Sequence, residues 1–112
     1  MATAKEILSI LSDDTNLQIM KLLDGKELSI QQISSQLGIP LSSAYRKMGK
    51  MEQLQILKKT KIVRRLDGLD ESFYTTWTYE ITINYKDNNF SFRVKQKSLD
   101  EKIVRLWQKF KH

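Results

Sequence analysis

Apolar residues recur at intervals of three and four through the first half of the chain, then at intervals of two, then at three and four again. That switch predicts helices, strands and a closing helix. Residues 3–11 read as a helix with Thr3 as its cap and Ile7, Leu8 and Leu11 on one side. Residues 12–24 begin a second, capped by Asp13 or Asp14, whose carboxylates suit the positive end of the helix dipole. Leu17, Met20, Leu22 and Leu23 make its buried stripe, with Ile19 beside them, and Asp24-Gly25 stops it.

From Ser29 to Gln55 the pattern gives two short amphipathic helices and a tight turn. Ile30, Ile33 and Leu37 share one face of the first, Ser29 and Gln32 form a capping box, and Gly38 ends it in a left-handed conformation. Pro40 sets the turn, and a helix over 41–54 follows with Ala44, Met48 and Met51 inward. Strands are expected over 56–66, 73–85 and 90–96, with turns at Asp67-Gly68-Leu69-Asp70 and Asp87-Asn88-Asn89. In the middle strand Phe73, Thr75, Trp77, Tyr79, Ile81, Ile83 and Tyr85 are assigned inward; in the last, Phe90, Phe92 and Val94. Trp77 and Tyr79 are thereby read as core rather than as a stacking platform for bases. Residues 98–112 close the chain as a helix capped by Ser98 and Glu101.

That last helix carries more apolar surface than one narrow seam uses. It either covers the chain's own sheet or, as the favoured reading, pairs with a second copy across a twofold axis through Leu99, Ile103, Leu106, Trp107 and Phe110. The helix at residues 3–11 is the alternative dimer surface.

Charge changes this picture from fold to partner. The chain of 112 residues has net charge +6 and no cysteine. Residues 45–65 hold eight cations and one carboxylate, and residues 93–112 seven cations and two carboxylates. The segments 1–44 and 66–92 are net acidic. Positive charge is thus gathered on the second helix of the pair, on the strand after it and on the tail, the footprint of a polyanion partner. Thiolate metal sites and disulfides are excluded. The start MATAKEILSI lacks a signal-peptide pattern and no apolar run approaches a membrane span, so a cytoplasmic location without membrane contact is expected. The pairs Asp13/Asp14 and Asp70/Glu71 have no nucleophile or histidine near them in sequence, and there is no phosphate-binding glycine loop; an enzyme is not expected. No cofactor is implied and no small-molecule effector is specified.

A helix, a glycine turn and a helix with a polar, cationic outer face form the helix-turn-helix pattern. Its outward positions are Ser42, Ser43, Tyr45, Arg46, Lys47 and Lys50. Arg46 is the first choice for a base contact, because guanidinium can pair with both guanine acceptors in the major groove. Ser42 and Ser43 can donate to phosphate or merely cap, Tyr45 can meet a thymine methyl or pack on the wing, and Lys47 and Lys50 suit phosphate. Lys58, Lys59 and Lys61 do not all share one strand face. Arg64 and Arg65 approach the hairpin tip, where the minor groove is within reach.

The run from Leu11 to Gly68, roughly half the chain, resembles winged helix-turn-helix regulators of the ArsR type. LSDDTNLQIMKLLDG looks like the capped second helix, ELSIQQISSQLGIPLSSAYRKM like the helix-turn-helix, and MEQLQILKKTKIV like the helix end running into the wing. The resemblance implies an α+β fold: a helical core, a three-stranded antiparallel wing and a C-terminal helix in a single domain, 1–112. It implies helix 41–54 in the major groove of double-stranded DNA, with the hairpin 56–85 beside it, in a homodimeric transcriptional regulator. Four departures stand out. Asn16 replaces a frequent arginine, and Gln55 stands where glycine is common and must go left-handed or change the turn. The residues of a soft-metal sensor are missing. The wing tip (Asp67, Asp70, Glu71) is acidic, which shifts backbone contact toward the stalk (Lys58, Lys59, Lys61, Arg64, Arg65). Two other readings use the same residues: a winged-helix module that docks on protein, and an architectural protein indifferent to DNA sequence.

Overall fold

The computed structural model describes residues 3–97. Four helices come first: α1 (Ala4–Leu11), α2 (Asp14–Leu22), α3 (Ile30–Leu37) and α4 (Leu41–Gln53), with the two-residue strand β1 (Leu28–Ser29) ahead of α3. Four strands follow: β2 (Leu57–Arg64), β3 (Asp70–Thr76), β4 (Thr78–Lys86) and β5 (Asn89–Gln96). The expected helix 98–112, with Leu99, Ile103, Leu106, Trp107 and Phe110, lies outside the described residues.

Local chemistry sets the helix ends. Thr3 Oγ1 accepts from the Glu6 amide, and Asp13 accepts from the amides of Thr15 and Asn16. Ser29 and Gln32 exchange both capping-box bonds, at 3.2 and 2.9 Å; losing such a serine costs about 1 kcal/mol. Gly38 takes φ 65° at the end of α3. Gln55, at φ 63°, is left-handed where the chain leaves α4, so the turn geometry is kept without glycine, at a cost of about 1–2 kcal/mol.

The core is one cluster under the helix-turn-helix. Ile7, Ile19, Leu23, Ile33, Met48, Met51, Ile56 and Leu57 are shut from solvent, with Ile10, Ile30, Ala44, Leu54 and Tyr74 around them. The faces of α3 and α4 fall as the spacing predicts. Those of α1 and α2 are rotated: Ile10 is buried where Leu8 was expected, and Ile19 with Asn16 where Leu17 was expected. Leu17 and Leu8 are 42% and 37% exposed. A stripe several residues wide admits more than one phase, and packing against α4 and the strands chooses.

The strands depart further from expectation. The alternating run 73–85 is two strands, broken at Trp77, and the strands divide into a sheet ordered β1-β3-β2 and a separate ribbon β4-β5. The inward phase also switches. Tyr74 and Thr76 are buried in β3, whereas Ile81 and Ile83 pack on the core from β4. The break follows from what the backbone bonds there. Thr76 donates through its amide to Leu23 O (3.2 Å) and through its hydroxyl to Met20 O (2.6 Å), and Thr75 Oγ1 donates to Leu23 O (3.0 Å). These bonds satisfy carbonyls at the open C-terminal end of α2. Trp77 N–H then turns to Ile56 O at 2.9 Å. Alternation records which faces are apolar; it does not record that the ladder changes partner.

In the ribbon, cross-strand pairs Ile81–Val94, Ile83–Phe92 and Tyr85–Phe90 share one face. The first four residues pack against the core, so the ribbon lies on the α1 side of the molecule. Tyr85 and Phe90, expected inward, overhang the core and are 64% and 57% exposed. Tyr79 occupies a bulge and is also exposed, under the Lys95 ammonium at 5.0 Å.

Candidate nucleic-acid interface

The candidate surface is built on α4. Its inner residues Ala44, Met48 and Met51 are 0% exposed and fix the helix axis. At about 100° per residue the opposite face then carries Ser42, Arg46, Gly49 and Gln53, with Tyr45 on its flank, and all five are exposed. Among the described residues Arg46 makes no ion pair. Ser43 is half-buried, and neither serine caps α4, whose N-cap position is Pro40 with no side-chain cap bond. The merely capping role considered for Ser42 and Ser43 is therefore not the one they have here. Tyr45 is held from the side, its hydroxyl accepting from Gln31 Nε2 at 3.3 Å.

The lysines of α4 stand differently. Lys47 lies only about 70° from the core direction at the same angular step. It is half-buried, with its ammonium 2.5 Å from Asp13 Oδ2. This corrects its assignment to the outward face: it ties α4 to the cap of α2. That bond, with the amides of Asn16 and Thr15, holds the Asp13 carboxyl below its ordinary pKa. Lys50 is exposed and reaches Glu6 of α1 at 3.0 Å.

The wing is the β2–β3 hairpin. A bulge at Thr60 shifts the register between Lys59–Tyr74 and Lys61–Phe73. Each stalk lysine lies over a ring: Lys58 over Trp77 (5.3 Å), Lys59 over Tyr74 (5.9 Å) and Lys61 over Phe73 (4.9 Å). Trp77 is thus half-buried beneath a cation rather than deep in the core, and burial raises the Tyr74 hydroxyl's pKa. Lys61 also faces Glu27 at 3.6 Å. At the tip Arg64 pairs with Asp70 (3.5 Å) and Arg65 with Asp67 (3.1 Å). The acidic tip residues expected to repel phosphate therefore cancel the two arginines expected to approach it. Leu66 and Leu69 stand in the open between them, 110% and 63% exposed.

The structure thus brings Ser42 and Arg46 together on one open face, sets exposed Tyr45 and half-buried Ser43 on its two flanks, and leaves the wing cations on a separate arm. Sequence reading missed Asn16 as a buried residue, 4% exposed, and gave Gly49 no role. A glycine inside a strongly periodic helix was the available signal for the second.

Neither a protein-family model nor a curated protein sequence matches the chain. Solved structures do. HlyU from Vibrio cholerae N16961 superposes with a TM-score of 0.54 at 17% identity, over 96% of this chain and 89% of that one. The fold is a winged helix-turn-helix. NolR from Sinorhizobium fredii gives 0.56 at 14% identity, over 68% and 70% of the two chains. The transcriptional regulator HlyU from Vibrio vulnificus CMCP6 gives 0.53 at 14%, over 96% and 85%. Among the described residues no helix is long and apolar enough to cross a membrane, and no group of three histidines or carboxylates is placed to hold a metal.

Proposed function

We propose that the chain is a DNA-binding transcriptional regulator of the ArsR type, acting in the cytoplasm as a homodimer. One observation carries the reading: α4 turns a fixed apolar side inward and presents Ser42, Tyr45 and Arg46 outward, with the arginine's charge unmatched by any described carboxylate. An unpaired, exposed guanidinium on a rigid helix has the geometry to read guanine in the major groove. Ser43 and Lys50 flank it toward phosphate; the Glu6 pair on Lys50 is exposed, worth about 0–1 kcal/mol, and exchangeable for a phosphate oxygen. Lys59, Lys61, Arg64 and Arg65 line the wing as backbone contacts, weakened at the tip by Asp67 and Asp70. Lys47 serves by holding α4 to α2.

A twofold dimer through residues 98–112 would set two α4 helices about one DNA turn, roughly 34–36 Å, apart and favour a pseudo-palindromic site. Ile7 and Ile10 of α1 are already buried within the chain's own core, which leaves the C-terminal segment the better dimer surface.

Titration of duplex DNA across a salt series tests the class. Phosphate neutralisation makes log K fall with log salt at about −0.9 per contacted phosphate. A flat response would mean a protein-docking module instead. Equal affinity for a selected and a scrambled duplex would mean an architectural protein. Sedimentation of the full chain against one ending at Lys97 tests the dimer; an undiminished dimer in the shorter chain would move the interface to α1.

A further inference from the structure

Three of the chain's four glycines, Gly25, Gly38 and Gly68, take positive φ. The fourth, Gly49, does not: it lies inside α4, which runs unbroken from Leu41 to Gln53. Glycine there weakens the helix, since its backbone loses the most freedom on folding. Nothing in the described fold requires it. A Cβ at Gly49 would meet nothing within 4 Å outside its own stretch of helix, and the left-handed turn after α4 is made by Gln55 instead. The remaining use of a bare helical backbone is close approach by something outside the chain.

The position says what approaches. Gly49 is exposed on the reading face, one turn after Arg46 and midway between Tyr45 and Gln53 on the ridge of every fourth residue. At Gly49 that ridge is notched down to the backbone. The surface around the notch is concave: an open hollow of about 570 Å³ is walled by Tyr45, Arg46, Gly49, Lys50 and Gln53 of α4 and by Ile10 of α1. A body that fills it is convex, and the two exposed cations at its side favour an anionic one. The Glu6 carboxylate on Lys50 is exposed and exchangeable.

We propose that Gly49 sets the depth at which α4 enters the major groove: the DNA surface passes nearer to the helix axis here than a Cβ would allow. The inference rests on the regulator reading and adds a positioning residue to it. Paired bonds from the Arg46 guanidinium to guanine need the helix at one depth. A methyl at position 49 would hold the helix off. Lysines, with long flexible stems, would follow that displacement and keep their phosphates; the planar guanidinium fork would not keep its base.

The test sets stability against affinity in the full chain, using a duplex selected from a random pool by the unaltered protein and a scrambled one. Gly49→Ala is expected to raise the thermal midpoint by about 4–8 °C, the helix-propensity gain. It is also expected to weaken the selected duplex about tenfold, or about 1.4 kcal/mol, within the cost of forcing a methyl into a close-packed contact. Gly49→Leu, still a better helix former than glycine, is expected to weaken it further. Both variants should hold the scrambled duplex as the unaltered chain does. In the Gly49→Ala background, Arg46→Ala is expected to cost less than in the unaltered chain, because the helix already stands off. A Gly49→Ala chain that keeps full affinity for the selected duplex overturns the proposal. A loss equal on both duplexes overturns it too, as does a Gly49→Ala chain less stable than the original, in which the fold itself needs the glycine. Each of these leaves the regulator reading standing as long as the unaltered chain prefers its selected duplex. An unaltered chain that binds neither duplex removes the regulator reading, and this inference with it.

Discussion

The outer face of α4 and the tip of the wing carry similar cations in the sequence and produce unlike fields in space. On α4, Arg46 has no ion-pair partner among the described residues and sits on a helix whose other side is fixed by Ala44, Met48 and Met51. At the tip, Arg64 and Arg65 are each answered by an aspartate within 3.5 Å, and every residue from Lys61 to Asp70 is exposed. A counted charge is therefore not an available one. What attracts a polyanion is the part of the charge that neighbours leave unbalanced, held where the backbone cannot yield.

Core support is the first place to break that contrast. Met48→Ala is expected to destabilise the fold by about 2–5 kcal/mol, as for a large side chain deleted from a closed core. Val63→Ala in the wing, 43% exposed, is expected to stay within about 0.5 kcal/mol. Denaturant melts of the two variants decide it, and a wing as sensitive as the helix would mean that the hairpin is not an independent arm.

Next comes the charge itself. Arg46→Ala is expected to lose about 1–3 kcal/mol on a preferred duplex and little on a scrambled one. Lys50→Ala should instead cost the same on both, with a shallower salt slope by about 1. A smaller gain is expected from freeing the tip: Asp67→Asn with Asp70→Asn should tighten binding to any duplex, by up to about 1 kcal/mol. No gain would mean that the wing stays clear of DNA.

The subtlest effect lies behind α4. The Lys47 bond depresses the Asp13 pKa below its ordinary 3.8. A depressed carboxyl stabilises the fold fully above that value and loses its contribution as pH falls through the lower folded one. Asp13→Asn keeps a capping oxygen and gives up the charge. Its deficit in thermal midpoint is expected to be modest at neutral pH and to close below pH 3.8, the ordinary value of the group it removes.

The helix-turn-helix was legible because its signals are local: the Ser29–Gln32 box, Gly38 and the spacing of Ala44, Met48 and Met51 act within a few residues of where they are read. At Gln55 the ArsR resemblance left two outcomes open, a left-handed residue or a changed turn, and the backbone takes the first at φ 63°. The division of residues 73–85 was not legible, since Thr75 and Thr76 leave the ladder to bond carbonyls of α2 some 50 positions earlier in the chain. Lys47 was misplaced by a related limit. A lysine on the flank of a helix faces solvent or a carboxylate according to which element lies beside it, and Asp13 is 34 positions away. Asn16 was noticed as a departure from the ArsR pattern, but its place depends on α1, whose Ile10 carbonyl accepts from its side-chain amide.

The most direct test of the account is the difference in affinity between a selected duplex and a scrambled one, measured at one salt concentration for the unaltered chain and for Arg46→Ala. The account expects a clear preference in the first and its near disappearance in the second, with non-specific affinity kept. An equal loss on both duplexes, or no preference to lose, would contradict it.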